Sequence, residues 1–99
     1  MQNLQSYKPA IIKLCETYKV KKLYAFGSVL TKSFNTDSDI DLIVEFKNIR
    51  LEDYADNYFD FKFSLQDVFK MSIDLLEDKA IKNPYFRKSV NEKRQLVYG

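Results

Sequence analysis

The chain has 99 residues, of which 45% are hydrophobic and 15 are Tyr or Phe, and this size and content predict a single domain, residues 1–99, with a real core. The formal net charge of +2 is too small to indicate a nucleic-acid-binding protein, and no apolar run approaches the ~18 residues of a membrane span. We therefore expect a cytoplasmic protein without a membrane segment and without direct nucleic-acid binding.

The first segment has the spacing of an amphipathic helix. Apolar residues recur at intervals of three and four, at Leu4, Tyr7, Ile11, Leu14, Cys15 and Tyr18. Proline is tolerated in the first turn of a helix, so Pro9 predicts that the regular helix starts near Lys8. Cys15, the only cysteine, is expected to fill the core, and because the chain has no histidine and no second cysteine we expect no zinc site.

Two apolar runs predict buried strands at residues 23–26 and about 39–46, and the stretch between them begins with Gly27-Ser28. Because side chains alternate along a strand, Asp39 and Asp41 should point to one face, while Ile40 and its apolar neighbours point to a core. Two carboxylates then share one small volume.

Two acids held so close together need a physical reason. Unit charges ~4 Å apart repel by about 1 kcal/mol in water and about 4 kcal/mol at an effective dielectric of 20, so the pair must raise a pKa or hold a cation. Carboxylates suit Mg²⁺ or Mn²⁺. A calcium loop starting at Asp37 is excluded, because Leu42 stands where that loop needs Gly and Asn48 where it needs Glu. The structural alternative is a pair of solvated acids at a strand entrance.

A long helix is predicted from Leu51 to about Lys70, with its apolar stripe at Leu51, Tyr54, Tyr58, Phe61, Leu65 and Val68. Phe59, Phe63 and Phe69 lie off this stripe. We expect Phe59 or Phe63 to be exposed in the isolated chain and covered in a complex or a homo-oligomer. A further strand or a longer loop over these rings is the alternative.

The third strand is predicted at residues 71–76, and it carries an acid, Asp74, within an apolar run. A carboxylate buried alone there would be costly, so it either reaches solvent at a strand end or joins the Asp39/Asp41 cluster.

The last segment predicts a helix that begins at Asn83-Pro84, an N-cap followed by proline at the first helical position. Phe86, Val90 and Val97 form a sparse apolar stripe. Three basic residues are expected to face elsewhere, toward phosphates, an acidic partner or solvent: Arg87, Lys88 and Arg94.

Charge is unevenly distributed along the chain. Residues 1–35 carry six basic and one acidic residue, residues 36–78 carry four and twelve, and residues 79–99 carry six and one. Basic flanks around an acidic middle would suit a metal-bound triphosphate, with solvated helix faces as the alternative.

Gly27-Ser28, ten intervening residues and then Asp39-Ile40-Asp41 resemble the motif of the DNA-polymerase-β-like nucleotidyltransferases. The small size and the Ser38–Leu42 context look like the minimal nucleotidyltransferase branch, whose members often serve as antitoxins of HEPN-domain toxins. With the elements above, we expect an α/β fold in which a small mixed β-sheet is flanked by helices on one side.

The resemblance implies that Asp39, Asp41 and Asp74 are the catalytic carboxylates. Asp39 and Asp41 would ligate two Mg²⁺ ions, and Asp74 would complete the metal cluster or take the proton from the attacking hydroxyl, with Glu77 and Asp78 as weaker candidates for the third position. The implied reaction moves NMP from an NTP, expected to be ATP, to a protein hydroxyl such as a tyrosine of a cognate HEPN toxin. The alternative is an antitoxin that neutralises the toxin by binding alone.

The nucleotide-binding residues that the resemblance implies are Gly27, Ser28 and Lys32. Nucleotidyltransferases of this type commonly have Arg-Gly where this chain has Thr31-Lys32. Lysine keeps a positive charge but lacks the two-pronged guanidinium, so we expect weaker activity.

Overall fold

The computed structural model describes residues 4–26 and 40–99, which form three helices and a four-stranded mixed sheet. This architecture confirms the predicted α/β class. The helices are α1 (Leu4–Thr17), α2 (Leu51–Phe69) and α3 (Pro84–Lys93). The strands are β1 (Val20–Phe26), β2 (Ile40–Phe46), β3 (Ile73–Glu77) and β4 (Gln95–Tyr98), and a short 3-10 helix, Asp78–Ala80, follows β3.

The strand order is β3-β2-β1-β4. Strand β1 is antiparallel to β2 and β4, whereas β2 and β3 are parallel. Parallel neighbours need a crossover, and α2 supplies it. The sequence pattern does not predict β4, because Val97 there continues the apolar stripe of the last helix. That helix instead ends at Lys93, and Val97 packs in the core from the edge strand.

The main core lies on one face of the sheet, under α1 and α2. Its strand residues alternate as predicted, and they include Leu23, Ala25, Ile40, Leu42, Val44, Ile73 and Leu75. Helix residues that pack on them include Ile11, Cys15, Phe61, Leu65 and Phe69. The residues between these strand positions therefore point to the second face.

Helix α3 contacts this second face, so the prediction that the helices flank the sheet on one side holds for α1 and α2 but is wrong for α3. The Phe86 ring packs edge-on against Phe26, with ring centroids 6.0 Å apart. Just beyond the helix, the Arg94 guanidinium lies 3.9 Å from the centre of the Tyr24 ring. The side chain of Asn83 accepts hydrogen bonds from the Tyr85 and Phe86 amides, which confirms the predicted N-cap.

Helix α1 begins earlier than predicted. It starts at Leu4, so Pro9 lies inside it and not in its first turn. Proline removes one backbone hydrogen bond, and here that loss falls near the N-terminal end of the helix, where few bonds are affected. Cys15 is fully buried, and burial, followed by the nearby charge of Glu16, raises its pKa to about 12. Its predicted role as a core residue is confirmed.

Helix α2 has the predicted position but a different buried stripe. Leu51, predicted to be buried, is 92% exposed, because the helix begins beyond the edge of the core. Phe69, predicted to lie off the stripe, is buried beside Leu65 near the C-terminal end. The helix ends where Lys70 adopts a left-handed conformation. None of the helices in the described residues is long and apolar enough to cross a membrane.

Candidate active site

Asp41 and Asp74 are register partners in neighbouring parallel strands. Partner residues of a sheet point to the same face, and neighbouring strands lie about 4.8 Å apart. Since Ile40 and Leu42 on either side of Asp41 belong to the core, both carboxylates project from the opposite, second face of the sheet. Asp74 is exposed and Asp41 is half-buried. The fold thus brings together two acids that are 33 positions apart in the sequence.

Phe26 is the partner of Asp41 on the other neighbouring strand, β1. Asp74, Asp41 and Phe26 therefore form a row across β3, β2 and β1. Phe26 also directly precedes Gly27-Ser28 in the sequence, so the described part of β1 ends beside Asp41. The predicted phosphate-binding residues Gly27 and Ser28 therefore follow directly in the sequence after a residue that is paired with Asp41.

Four predicted site residues lie outside the described residues: Gly27, Ser28, Lys32 and Asp39. Their roles in binding nucleotide and metal stay predictions.

The two weaker candidates for the third carboxylate have other partners. Glu77 pairs with Val44, which places it on the core face, and there it accepts a hydrogen bond from the Tyr54 hydroxyl. Burial, followed by this bond to Glu77, raises the pKa of Tyr54. Asp78 lies beyond the end of β3 in the 3-10 helix. Strand alternation therefore favours Asp74 over both as the acid beside Asp41.

Asp78 forms salt bridges with Arg87 and Arg94, which the sequence analysis expects to face phosphates, an acidic partner or solvent. Arg87 and Arg94 each donate to the same carboxylate oxygen of Asp78, at 2.8 and 2.9 Å. Arg87 also donates to the backbone carbonyls of Asp78 and Ile81. Burial alone would raise the pKa of Asp78, but the hydrogen bonds and charges of both arginines outweigh it and lower that pKa. This cluster ties α3 to the end of β3.

The described carboxylates suit a divalent cation. Carboxylate oxygens are the ligand type that Mg²⁺ prefers, and Asp41 and Asp74 supply them from adjacent strands with a fixed register. Residues 4–26 and 40–99 contain no group of three or more acids, histidines or cysteines that could hold a metal ion. The third predicted ligand, Asp39, is outside these ranges.

A cleft of about 480 Å³ lies at the other end of β2. Its walls include Lys47, Tyr54, Glu77 and Lys79. The Lys79 ammonium sits 4.3 Å from the centre of the Tyr54 ring, and Glu77 is bonded to Tyr54. Neither Asp41 nor Asp74 lines this cleft, so it is separate from the carboxylate pair.

Comparison with known proteins gives a consistent family. The family model of the nucleotidyltransferase domain matches residues 10–97. A protein of Methanocaldococcus jannaschii named as a protein adenylyltransferase is 40% identical over 85 residues, covering 86% of this chain and 82% of the relative. A second such protein of the same organism is 32% identical over 102 residues, covering 99% of each.

Solved structures share the fold. One described as a minimal nucleotidyltransferase has a TM-score of 0.76 at 24% identity, covering 93% of this chain and 90% of that chain. A toxin-antitoxin structure with AMP-PNP has a TM-score of 0.71 at 20% identity, covering 93% and 73%. A tri-AMPylated Shewanella oneidensis HEPN toxin in complex with MNT antitoxin gives 0.60 at 18%, covering 96% and 71%. With the family model matched over residues 10–97, this chain belongs to the nucleotidyltransferase domain family and is a nucleotidyltransferase.

Proposed function

We propose that this protein transfers AMP from ATP to a tyrosine hydroxyl of a HEPN-domain toxin, in a reaction that requires Mg²⁺, and thereby acts as an antitoxin. The register pairing of Asp41 with Asp74 carries the proposal, because it places two acids side by side on β2 and β3. Asp41 is also paired with Phe26, the last residue of β1, and Gly27-Ser28 follows Phe26 in the sequence. The relatives named as protein adenylyltransferases support a protein acceptor. The fold neighbour in complex with an AMPylated HEPN toxin supports the class of acceptor.

The reaction is an in-line displacement at the α-phosphorus of ATP. The tyrosine oxygen forms a bond to that phosphorus, the bond to the bridging oxygen of the β-phosphate breaks, and pyrophosphate leaves. Asp74, the more exposed acid of the described pair, accepts the hydroxyl proton. Asp39, Asp41 and Asp74 would hold two Mg²⁺ ions, which when bound neutralise charge on the attacking and leaving oxygens.

Gly27 and Ser28 bind the β- and γ-phosphates in this proposal, and Lys32 adds a positive charge. A lysine ammonium is a point charge, whereas an arginine would contact a phosphate through two donors at once. Positioning is most of what phosphoryl-type transfer requires of a protein, so we expect slow but genuine turnover.

The test is to incubate the protein with the HEPN toxin, Mg²⁺ and each NTP in turn, and to measure the intact mass of the toxin. The expected result is an added AMP with ATP, on a tyrosine located by peptide mapping. If no NTP yields an adduct while the two proteins bind and the toxin is silenced, the protein neutralises the toxin by binding alone, and the catalytic proposal is wrong.

A further inference from the structure

Two phenylalanines lie on the side of α2 that faces away from the core. Phe59 and Phe63 are 48% and 54% exposed, which confirms the prediction that at least one of them is exposed. At 100° per residue, each lies about 160° around the helix from Phe61, which is fully buried in the core. Their rings stack, with centroids 6.1 Å apart and planes 27° apart. The pair thus forms a continuous aromatic surface on the outside of α2.

Three acids border this aromatic pair. Asp56 precedes Phe59 by three positions, Asp60 precedes Phe63 by three, and Asp67 follows Phe63 by four, so each lies next to a ring on the helix surface. All three are exposed, and no ion pair joins any of them to another of the described residues. We call these five residues, Phe59, Phe63, Asp56, Asp60 and Asp67, the aromatic-acidic face.

We propose that the aromatic-acidic face docks a cationic surface of the HEPN-domain toxin, a proposal that rests on the proposed function for the identity of the partner. An apolar centre with a charged border is the usual anatomy of a protein interface. The border here is negative, so the complementary surface carries Lys or Arg around an apolar pocket that receives the two rings. Aromatic side chains at such a centre commonly dominate the binding energy.

A second copy of this chain does not fit the same face. In a two-fold symmetric dimer, each patch meets its own copy. Asp56, Asp60 and Asp67 of one chain would then meet the same three acids of the other, and like charges placed together at an interface oppose association. Helix α2 has five acids and one basic residue, Lys62, so its own cations do not offset this repulsion.

The aromatic-acidic face and the carboxylate pair lie on opposite sides of the protein. Helix α2 covers the core face of the sheet, and Asp41 and Asp74 project from the second face. A partner seated on Phe59 and Phe63 therefore leaves the carboxylates uncovered. Because the toxin is also the acceptor of AMP, loss of docking should raise the toxin concentration that AMP transfer needs, whereas loss of a carboxylate should lower the rate at saturating toxin.

The experiment uses calorimetry to measure the Kd of the complex between the purified toxin and this protein. The wild type and three variants are compared at about 0.05 M and about 0.5 M NaCl. Phe59→Ser/Phe63→Ser should raise Kd by roughly tenfold to a hundredfold. Asp56→Asn/Asp60→Asn/Asp67→Asn should weaken binding at low salt and remove most of its salt dependence. Leu51→Ser is the matched control, because it removes a more exposed apolar side chain from the same helix and should leave Kd unchanged.

Mg-ATP binding, monitored through the melting temperature, should be the same in all these variants as in the wild type. If the Phe59/Phe63 variant binds the toxin like wild type, the docking proposal is wrong, whatever happens to AMP transfer. Suppose instead that the wild type transfers AMP and forms a dimer, and that Phe59→Ser/Phe63→Ser abolishes the dimer. The occupant of the face would then be a second copy of the chain, and the proposal would be overturned. A wild-type chain that neither binds nor modifies the toxin would overturn the partner and the docking surface together.

Discussion

Replacing Asp78 by alanine should destabilise the protein more than any other removal of a carboxylate among the described residues. The change leaves Arg87 and Arg94 facing each other without the acid that both contact at 2.8 and 2.9 Å. A hydrogen bond to a charged group contributes about 1.5–3 kcal/mol, and partial exposure reduces that value. The three side chains are 22–30% exposed, so we expect a combined loss of about 2–3 kcal/mol.

For a protein of this size, 1 kcal/mol shifts the melting temperature by about 4–8 °C, so Asp78→Ala should melt roughly 10–20 °C below the wild type. Asp78→Asn keeps an acceptor without the charge and should fall between the two. The control is Asp60→Ala, an exposed acid of α2, whose effect should stay within about 0.5 kcal/mol. Thermal unfolding followed by circular dichroism measures all three. Equal melting temperatures for Asp78→Ala and Asp60→Ala would refute the role of this cluster.

The difference in unfolding free energy between wild type and Asp78→Ala should be largest at neutral pH and should shrink as pH falls below about 4, because folding lowers the pKa of Asp78. Urea unfolding at a series of pH values measures this difference, and a difference that does not change with pH would contradict the prediction. Phe61→Ala should cost about 3–5 kcal/mol, whereas Phe63→Ala should stay within about 0.5 kcal/mol, because only Phe61 is buried; urea unfolding of both variants measures this difference, and equal losses would contradict it. Cys15 should react with a thiol reagent at pH 8 only after unfolding, and rapid reaction in the native protein would argue against its burial.

Much of this fold follows from patterns visible in the sequence. The alternation of Ile40, Leu42 and Val44 is enough to predict which side chains of β2 enter the core under α1 and α2, and the structure agrees. The spacing within residues 51–70 predicts α2 almost to its ends, because a long apolar stripe at intervals of three and four is characteristic of a helix. The N-cap at Asn83 is also predictable, since Asn followed by Pro is a local signal for a helix start.

Other features depend on tertiary contacts that no local pattern contains. Phe69 is buried because the end of α2 packs beside α1, where the centroids of the Phe69 and Tyr7 rings are 4.4 Å apart. Strand β4 is too short for a clear period, and it forms because β1 offers it a free edge. The Asp78 cluster joins residues 9 and 16 positions apart, and nothing in the sequence distinguishes Arg87 and Arg94 from solvated bases.

The part of the candidate site around Asp41 is predictable, because the alternation of side chains in β2 and the Gly-Ser…Asp-Ile-Asp motif both identify that residue. Asp74 can be suspected because an acid in an apolar strand needs a reason, but its position beside Asp41 depends on the parallel register of β2 and β3. That register depends on how the crossover through α2 packs on the sheet, which no local sequence pattern contains.

Whether Asp41 and Asp74 act together in AMP transfer is decided by the rate at which single variants add AMP to the HEPN toxin. Asp41→Asn and Asp74→Asn should each reduce the rate by at least about a hundredfold without lowering the melting temperature or weakening toxin binding. Glu16→Gln, an exposed acid of α1 that belongs neither to the carboxylate pair nor to the aromatic-acidic face, is the matched control and should keep the wild-type rate. Wild-type rates in both Asp41→Asn and Asp74→Asn would contradict a catalytic role for the pair.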